Sequence, residues 1–173
     1  AGSILFITDQ HRVRRISPGP DSQVKTVAGD ECGFRDGVAS LAKFNGPQGL
    51  CADLERRVLY VADTLNCAVR TVTFDGHVVT FCVAPSPVEL QAPVDVATSG
   101  KGVVFVCDRL RHCIFELRQQ QMGDTTVTTA NRTITQGVMM PRALALHPTG
   151  GLYVLCMYKV VRVTDAGSIE LIA

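Results

Sequence analysis

One interval constrains this chain more than any other feature. Pro47, Pro93 and Pro141 are each followed 15 or 16 residues later by the end of a hydrophobic run: LYVAD to Asp63, VFVCD to Asp108 and LYVLC to Cys156. A further copy without its proline, LFITD to Asp9, opens the chain, so one unit recurs at a spacing of 45 to 54 residues. A unit of that size cannot bury an apolar face by itself. Copies of it must stack on one another.

The second copy shows what the unit contains. Pro47–Asp53 reads as a short strand of small residues, Glu55-Arg56 as a polar turn, and Arg57–Ala62 as a strand of β-branched and aromatic residues. Asp63-Thr-Leu-Asn66 breaks the run with turn formers, and Ala68–Thr73 then alternates apolar and polar. Asp75-Gly76 is a hairpin signal, and His77–Val83 closes the unit. The third copy predicts strands over Val94–Thr98, Gly102–Cys107, Cys113–Leu117 and Asp124–Thr129, with a polar turn at Gln119–Gln121. The fourth predicts them over Arg142–Leu146, Leu152–Leu155, Lys159–Val163 and Ser168–Ile172. A proline heading the first strand is tolerated, because it need not donate a ladder hydrogen bond there. Val38–Phe44 is the nearest approach to a helix, and it is too short.

Four-stranded antiparallel meanders stacked face to face around an axis form a β-propeller. Small residues (Gly49, Cys51, Ala52, Ala97, Ala143, Ala145) suit its crowded centre, and Phe6, Tyr60, Phe105 and Tyr153 suit the space between blades. The expected fold is all-β, with about four blades over residues 1–29, 46–84, 92–130 and 141–173. The first lacks its inner strand, so the chain reads as a single propeller domain or a fragment of a larger ring. Open flanks of such a fragment would expose apolar blade faces and favour self-association.

Composition narrows the partners. Seventeen basic and 16 acidic residues leave a formal charge of +1, which gives no reason to expect a polyanion. No apolar run approaches the roughly 20 residues that cross a bilayer. The opening AGSILFITDQHRV lacks the charged start of a signal peptide and resembles the middle of a domain. Seven cysteines form no CxxC pair and several lie inside apolar strands, a pattern that favours a reducing compartment over a disulfide framework. Asn131-Arg132-Thr133 is an acceptable glycosylation triplet, with chance as its simpler explanation.

A family resemblance rests on a longer stretch. Val24-Lys-Thr-Val-Ala-Gly29, Gly33-Phe-Arg-Asp-Gly37, Ala42-Lys-Phe-Asn-Gly-Pro-Gln-Gly-Leu50, Leu59-Tyr-Val-Ala-Asp-Thr64 and Asn66 through Arg70 together resemble NHL repeats. The family pattern runs VxTxAG, GxxDG, AxFNxPxGI, LYVADTxNxxIR. The match is in order across Val24–Arg70 and weaker elsewhere, where Arg111 replaces the motif asparagine and Cys156 the aspartate. The resemblance implies a propeller, most often of six blades. It also implies three functional classes: a protein-interaction scaffold, a reader of single-stranded RNA, or a zinc-dependent lyase.

The residues favour the first class. Asp9, Asp63 and Asp108 recur at equivalent strand ends, and a site rarely needs one copy per blade, so they read as turn braces. Asp36 and Asn66 read the same way. His11, His77, His112 and His147 lie in different parts of the unit and suggest no set of three convergent ligands, so neither metal nor other cofactor is expected, and no enzyme. Arg12, Arg14, Arg15, Arg109, Arg111 and His112 could face RNA. However, Asp30, Glu31 and Asp36 beside Arg35 make the rim mixed in charge, and Phe34 is the obvious aromatic for base stacking. The longest and least repetitive loops are Gly29–Phe44, Pro85–Gln91 and Ala130–Met140, and loops on rigid scaffolds commonly carry function. Phe34, Arg35, Arg109, Arg111, Met139 and Met140 are the predicted contacts with a protein partner.

Overall fold

Alternation along each strand sends successive side chains to opposite faces, and both faces of the inner sheets of this chain are apolar. A computed structural model describes residues 4–20, 22–85, 88–100, 102–122 and 125–173. Among the described residues, sixteen strands form four antiparallel sheets. The first sheet holds β1 (Leu5–Asp9), β2 (Arg12–Ser17) and β3 (Gln23–Ala28). The second holds β4 (Gly37–Val38), β5 (Pro47–Asp53), β6 (Val58–Asp63), β7 (Ala68–Thr73) and β8 (His77–Val83), with β4 paired outside β8. The third is β9 (Pro93–Thr98), β10 (Val103–Asp108), β11 (Cys113–Met122) and β12 (Thr125–Ile134). The fourth is β13 (Ala143–Leu146), β14 (Leu152–Leu155), β15 (Val160–Val163) and β16 (Ile169–Leu171).

The sheets stack in chain order as the blades of a β-propeller, and the core is three seams. Leu59 and Val61 pack toward the first sheet with Val13, Ala28, Phe44, Val72 and Val78, and Phe6 leans in from β1. Their neighbours Tyr60 and Ala62 face the other way, into a seam with Val96, Val104, Val106, Phe115 and Leu117 of the third sheet. Ile114 then faces the fourth sheet with Leu152, Val154, Val161 and Val163. Outward faces of the end sheets carry exposed Leu5, Ile7 and Leu155. Gly49 marks how closely inner strands approach: a Cβ there would lie 2.6 Å from the Cα of Asp95 on β9.

The third blade departs from expectation. β11 runs unbroken through Gln119–Gln121, so the predicted turn there is strand. β12 likewise continues to Ile134, which makes the first part of the predicted loop Ala130–Met140 a ladder partner of β11. A run of polar residues reads as a turn in sequence, yet two polar strands pair well where their side chains face solvent on a long hairpin. The expected start of the last strand at Asp124, and residues 86–87 of the expected loop Pro85–Gln91, lie outside the described residues. The expected loop Gly29–Phe44 is also more ordered than a loop, since it contributes β4 and a 3-10 turn at Ala39–Leu41. Its backbone closes on itself through Gly29 N–H to Ala39 O, Gly33 N–H to Phe44 O, and Arg35 and Lys43 bonded in both directions.

Candidate functional site

A buried arginine organises that long segment. Arg70 on β7 is fully buried and donates to Asp63 Oδ2 at 3.0 Å, to Lys43 O at 3.1 Å and to Asp36. Its guanidinium lies between the rings of Phe34 and Phe44, 4.7 and 5.3 Å from their centroids. Asp63 also accepts the Asn45 N–H at 2.7 Å, and Asn66 Nδ2 bridges from Asp63 Oδ2 to Gly33 O at 2.8 Å each. Asp36 accepts the Thr80 N–H and hydroxyl. Burial works against ionising Asp36, but the hydrogen bonds from Arg70 and Thr80 outweigh it and hold the carboxyl below its ordinary value. Phe34, half exposed, therefore covers Arg70, and Arg35 donates its Nε–H to Leu41 O within the segment.

The strand-end turns of successive blades share one end of the sheets, as their hydrogen bonds show. Leu65 N–H donates to Asn45 O beside Pro47, Arg109 N–H to Ala92 O beside Pro93, and Met157 N–H to Met139 O just before Pro141. Each turn also reaches the next blade. Gly46 N–H donates to His11 Nδ1 at 3.2 Å, Met140 N–H to His112 Nδ1 at 3.0 Å, and the Thr64 hydroxyl to Pro93 O at 2.7 Å. Asp108 is fully buried and accepts the N–H groups of Gln91, Ala92 and Arg111. Asp9, more exposed, instead pairs with Arg14 at 2.7 Å.

On this same end a row of apolar side chains stands in solvent. Leu65 is 66% exposed, Leu110 54% and Tyr158 81%, and each lies two residues beyond the strand-end position of its blade, after Asp63, Asp108 and Cys156. Met139, 60% exposed, sits beside the last of these turns, whereas Met140 is half-buried with φ of 44°. The structure thus gathers Arg109, Arg111 and Met139 of the predicted contacts here and keeps Phe34 and Arg35 on the braced segment. Arg111 pairs with Glu89 at 3.0 Å, and Arg109 keeps a buried Nε without a partner among the described residues. The row itself escaped the sequence reading. Its signal was present as Asp-x-Leu in two turns and Cys-x-Tyr in a third, an apolar residue repeated where turn formers are usual.

The other reactive groups are occupied or scattered. None of the seven cysteines is in a disulfide among the described residues, and burial pushes the thiols of Cys51 and Cys113 up to about 12 and that of Cys82 up to about 11, the opposite of what a nucleophile needs. The Nδ1 atoms of His11, His112 and His147 each accept a backbone N–H, and no group of three His, Cys, Asp or Glu side chains arranged to hold a metal occurs among the described residues. Arg12 and Arg14, candidates for phosphate contact, pair with Asp30 and Asp9. Asn131 donates its Nδ2–H to Glu116 Oε1 at 2.6 Å from within β12. No helix among the described residues is long and apolar enough to cross a membrane.

NHL repeat-containing protein 2 of Gallus gallus is 35% identical over 81 residues, which is 46% of this chain and 11% of that protein. A chain in the crystal structure of a nidogen/laminin complex superposes with a TM-score of 0.72 at 16% identity, covering 98% of this chain and 60% of its own length. Virginiamycin B lyase of Staphylococcus aureus superposes at 0.63 with 14% identity, over 98% of this chain and 54% of the enzyme. No family model matches the chain. The structural likenesses, at these identities, are likenesses of fold.

Proposed function

We propose that this chain, which is built of NHL repeats in β-propeller blades, is a non-catalytic scaffold that binds a protein partner on the face bearing Leu65, Leu110, Met139 and Tyr158. The exposed row carries the reading. Single exposed leucines are ordinary on a surface, but large apolar residues recur here at the equivalent position of three consecutive blades, at one end of the stack. Arg109 and Arg111 rim the row with charge, so it has the apolar centre and polar edge of a recognition surface. The blades beneath are held rigid by interblade hydrogen bonds, and preorganisation lowers the entropic cost of binding. The nidogen/laminin complex is an instance of this fold within a protein assembly.

A photo-crosslinking side chain placed at Leu110 or Tyr158 tests the reading, with Glu55 and Asp165 at the other end of the sheets as controls. Protein adducts should form at the first pair and disappear in a Leu110→Glu, Met139→Glu double variant that unfolds at the unchanged temperature. Equal yields at both ends of the sheets would refute it. Self-association of the chain would use the outward faces with Leu5, Ile7 and Leu155. A sedimentation coefficient independent of concentration removes that second route.

A further inference from the structure

At the opposite end of the sheets, a cleft of about 540 Å³ opens between the first and second blades. One wall is β1 and β2, where Phe6 and Arg15 stand opposite each other across the ladder. The other is made by the turn after β5, with Arg56 and Arg57, and the turn after β7, with Phe74 and Asp75. Phe6 and Phe74 meet at 5.2 Å between ring centroids and form an apolar floor that Ile4 extends.

The cations above that floor are not equally free. Arg56 is occupied: its Nη1–H and its backbone N–H both donate to the buried Asp53 carboxylate at 3.0 Å. Arg15 and Arg57 have no carboxylate within 4 Å among the described residues, and Arg57 instead lies 5.6 Å from the centroid of the Phe74 ring. Asp75 is the one acid among the residues that line the cleft, and it feels the charge of Arg57 without a direct contact, so two guanidiniums face a single carboxylate. Arg57 also has φ of 55°, a left-handed conformation that an arginine adopts at a cost and a glycine does not. Planar guanidiniums bind carboxylate and phosphate oxygens in pairs, and they remain charged at every accessible pH.

We infer that this cleft is a binding site for a small amphipathic anion: a carboxylate or phosphate monoester carrying an aromatic ring or a short apolar chain. The head group lies between Arg15 and Arg57, and the apolar part lies on Phe6, Phe74 and Ile4. Head and tail are both needed for full affinity, because an inorganic ion leaves the apolar floor unused and a neutral ring leaves the paired guanidinium donors unused.

Isothermal titration of the chain with phenyl phosphate, phenylacetate, 2-phenylethanol and inorganic phosphate separates these requirements. At least one of the first two should bind about tenfold tighter than either of the last two, and the tighter of the pair identifies the head group. Arg15→Gln and Arg57→Gly should each weaken that binding about tenfold. The glycine variant keeps or raises the unfolding temperature, because it relieves the left-handed backbone. Wild-type affinity in either variant, equal binding of 2-phenylethanol or inorganic phosphate, or no binding up to about 10 mM overturns the assignment.

Discussion

Arg70 is the residue on which the second blade turns. It is the largest fully buried side chain, and burial of a charge is tolerable only because Asp63, Asp36 and Lys43 O surround it. Arg70→Met leaves Asp63 buried without its cation and should cost about 3 kcal/mol or more in urea unfolding, with partial recovery when Asp63→Asn is added. Asp36 gives a pH signature. Its carboxyl ionises more readily in the folded than in the unfolded chain, so its stabilisation is complete above the ordinary carboxylate range and is lost as pH falls through the depressed folded value. The stability gap between wild type and Asp36→Asn should therefore be widest near neutrality and close in acid. A gap constant with pH would show that Asp36 acts through shape alone.

Elements in this fold are joined by turns that work across blades. The first strand of a unit needs small residues because the neighbouring strand comes close, and Gly49 is the tightest case. Gly49→Ala drives a Cβ into the backbone of Asp95 and should cost about 1–3 kcal/mol, read as a lowered thermal midpoint. The four strands of the second blade were legible almost residue by residue, since alternation, the Asp75-Gly76 hairpin and Pro47 all agree. The hairpin of β11 and β12 was not. Gln119–Gln121 is polar enough to be a turn, and only its pairing with residues 126–128 makes it strand. The two-residue β4 was equally hidden, because Gly37-Val38 has no periodicity and gains strand form only by adding to β8.

At the scale of the molecule, each blade is stabilised by its neighbours through one apolar seam per pair. Stability in such a stack is a sum of local terms and nearest-neighbour terms. Phe115→Ala opens the seam between the second and third blades and should cost about 3–5 kcal/mol. Amide exchange should then accelerate across β6–β11 well before it does in β14 and β15, whose core is a separate cluster. Uniform acceleration in all four sheets would mean that the stack unfolds as one unit. The candidate face is also a whole-molecule property: Leu65, Leu110 and Tyr158 lie 45 and 48 residues apart in the chain and come to the same end of the sheets only when three blades stand side by side.

The repeat interval, the strand alternation and the ordered motif residues of Val24–Arg70 determined on their own that the chain makes stacked antiparallel blades. Those signals are local, set by backbone geometry within one unit, and survive without knowledge of neighbours. The rest needed the tertiary structure, because it depends on residues far apart in sequence. Arg70 could be seen as a motif position, but its burial against Phe34 and Phe44 arises from residues 36 and 26 positions earlier folding back over it. The same holds for the face and the cleft, where spacing fixes what each turn carries and packing fixes what the turns carry together.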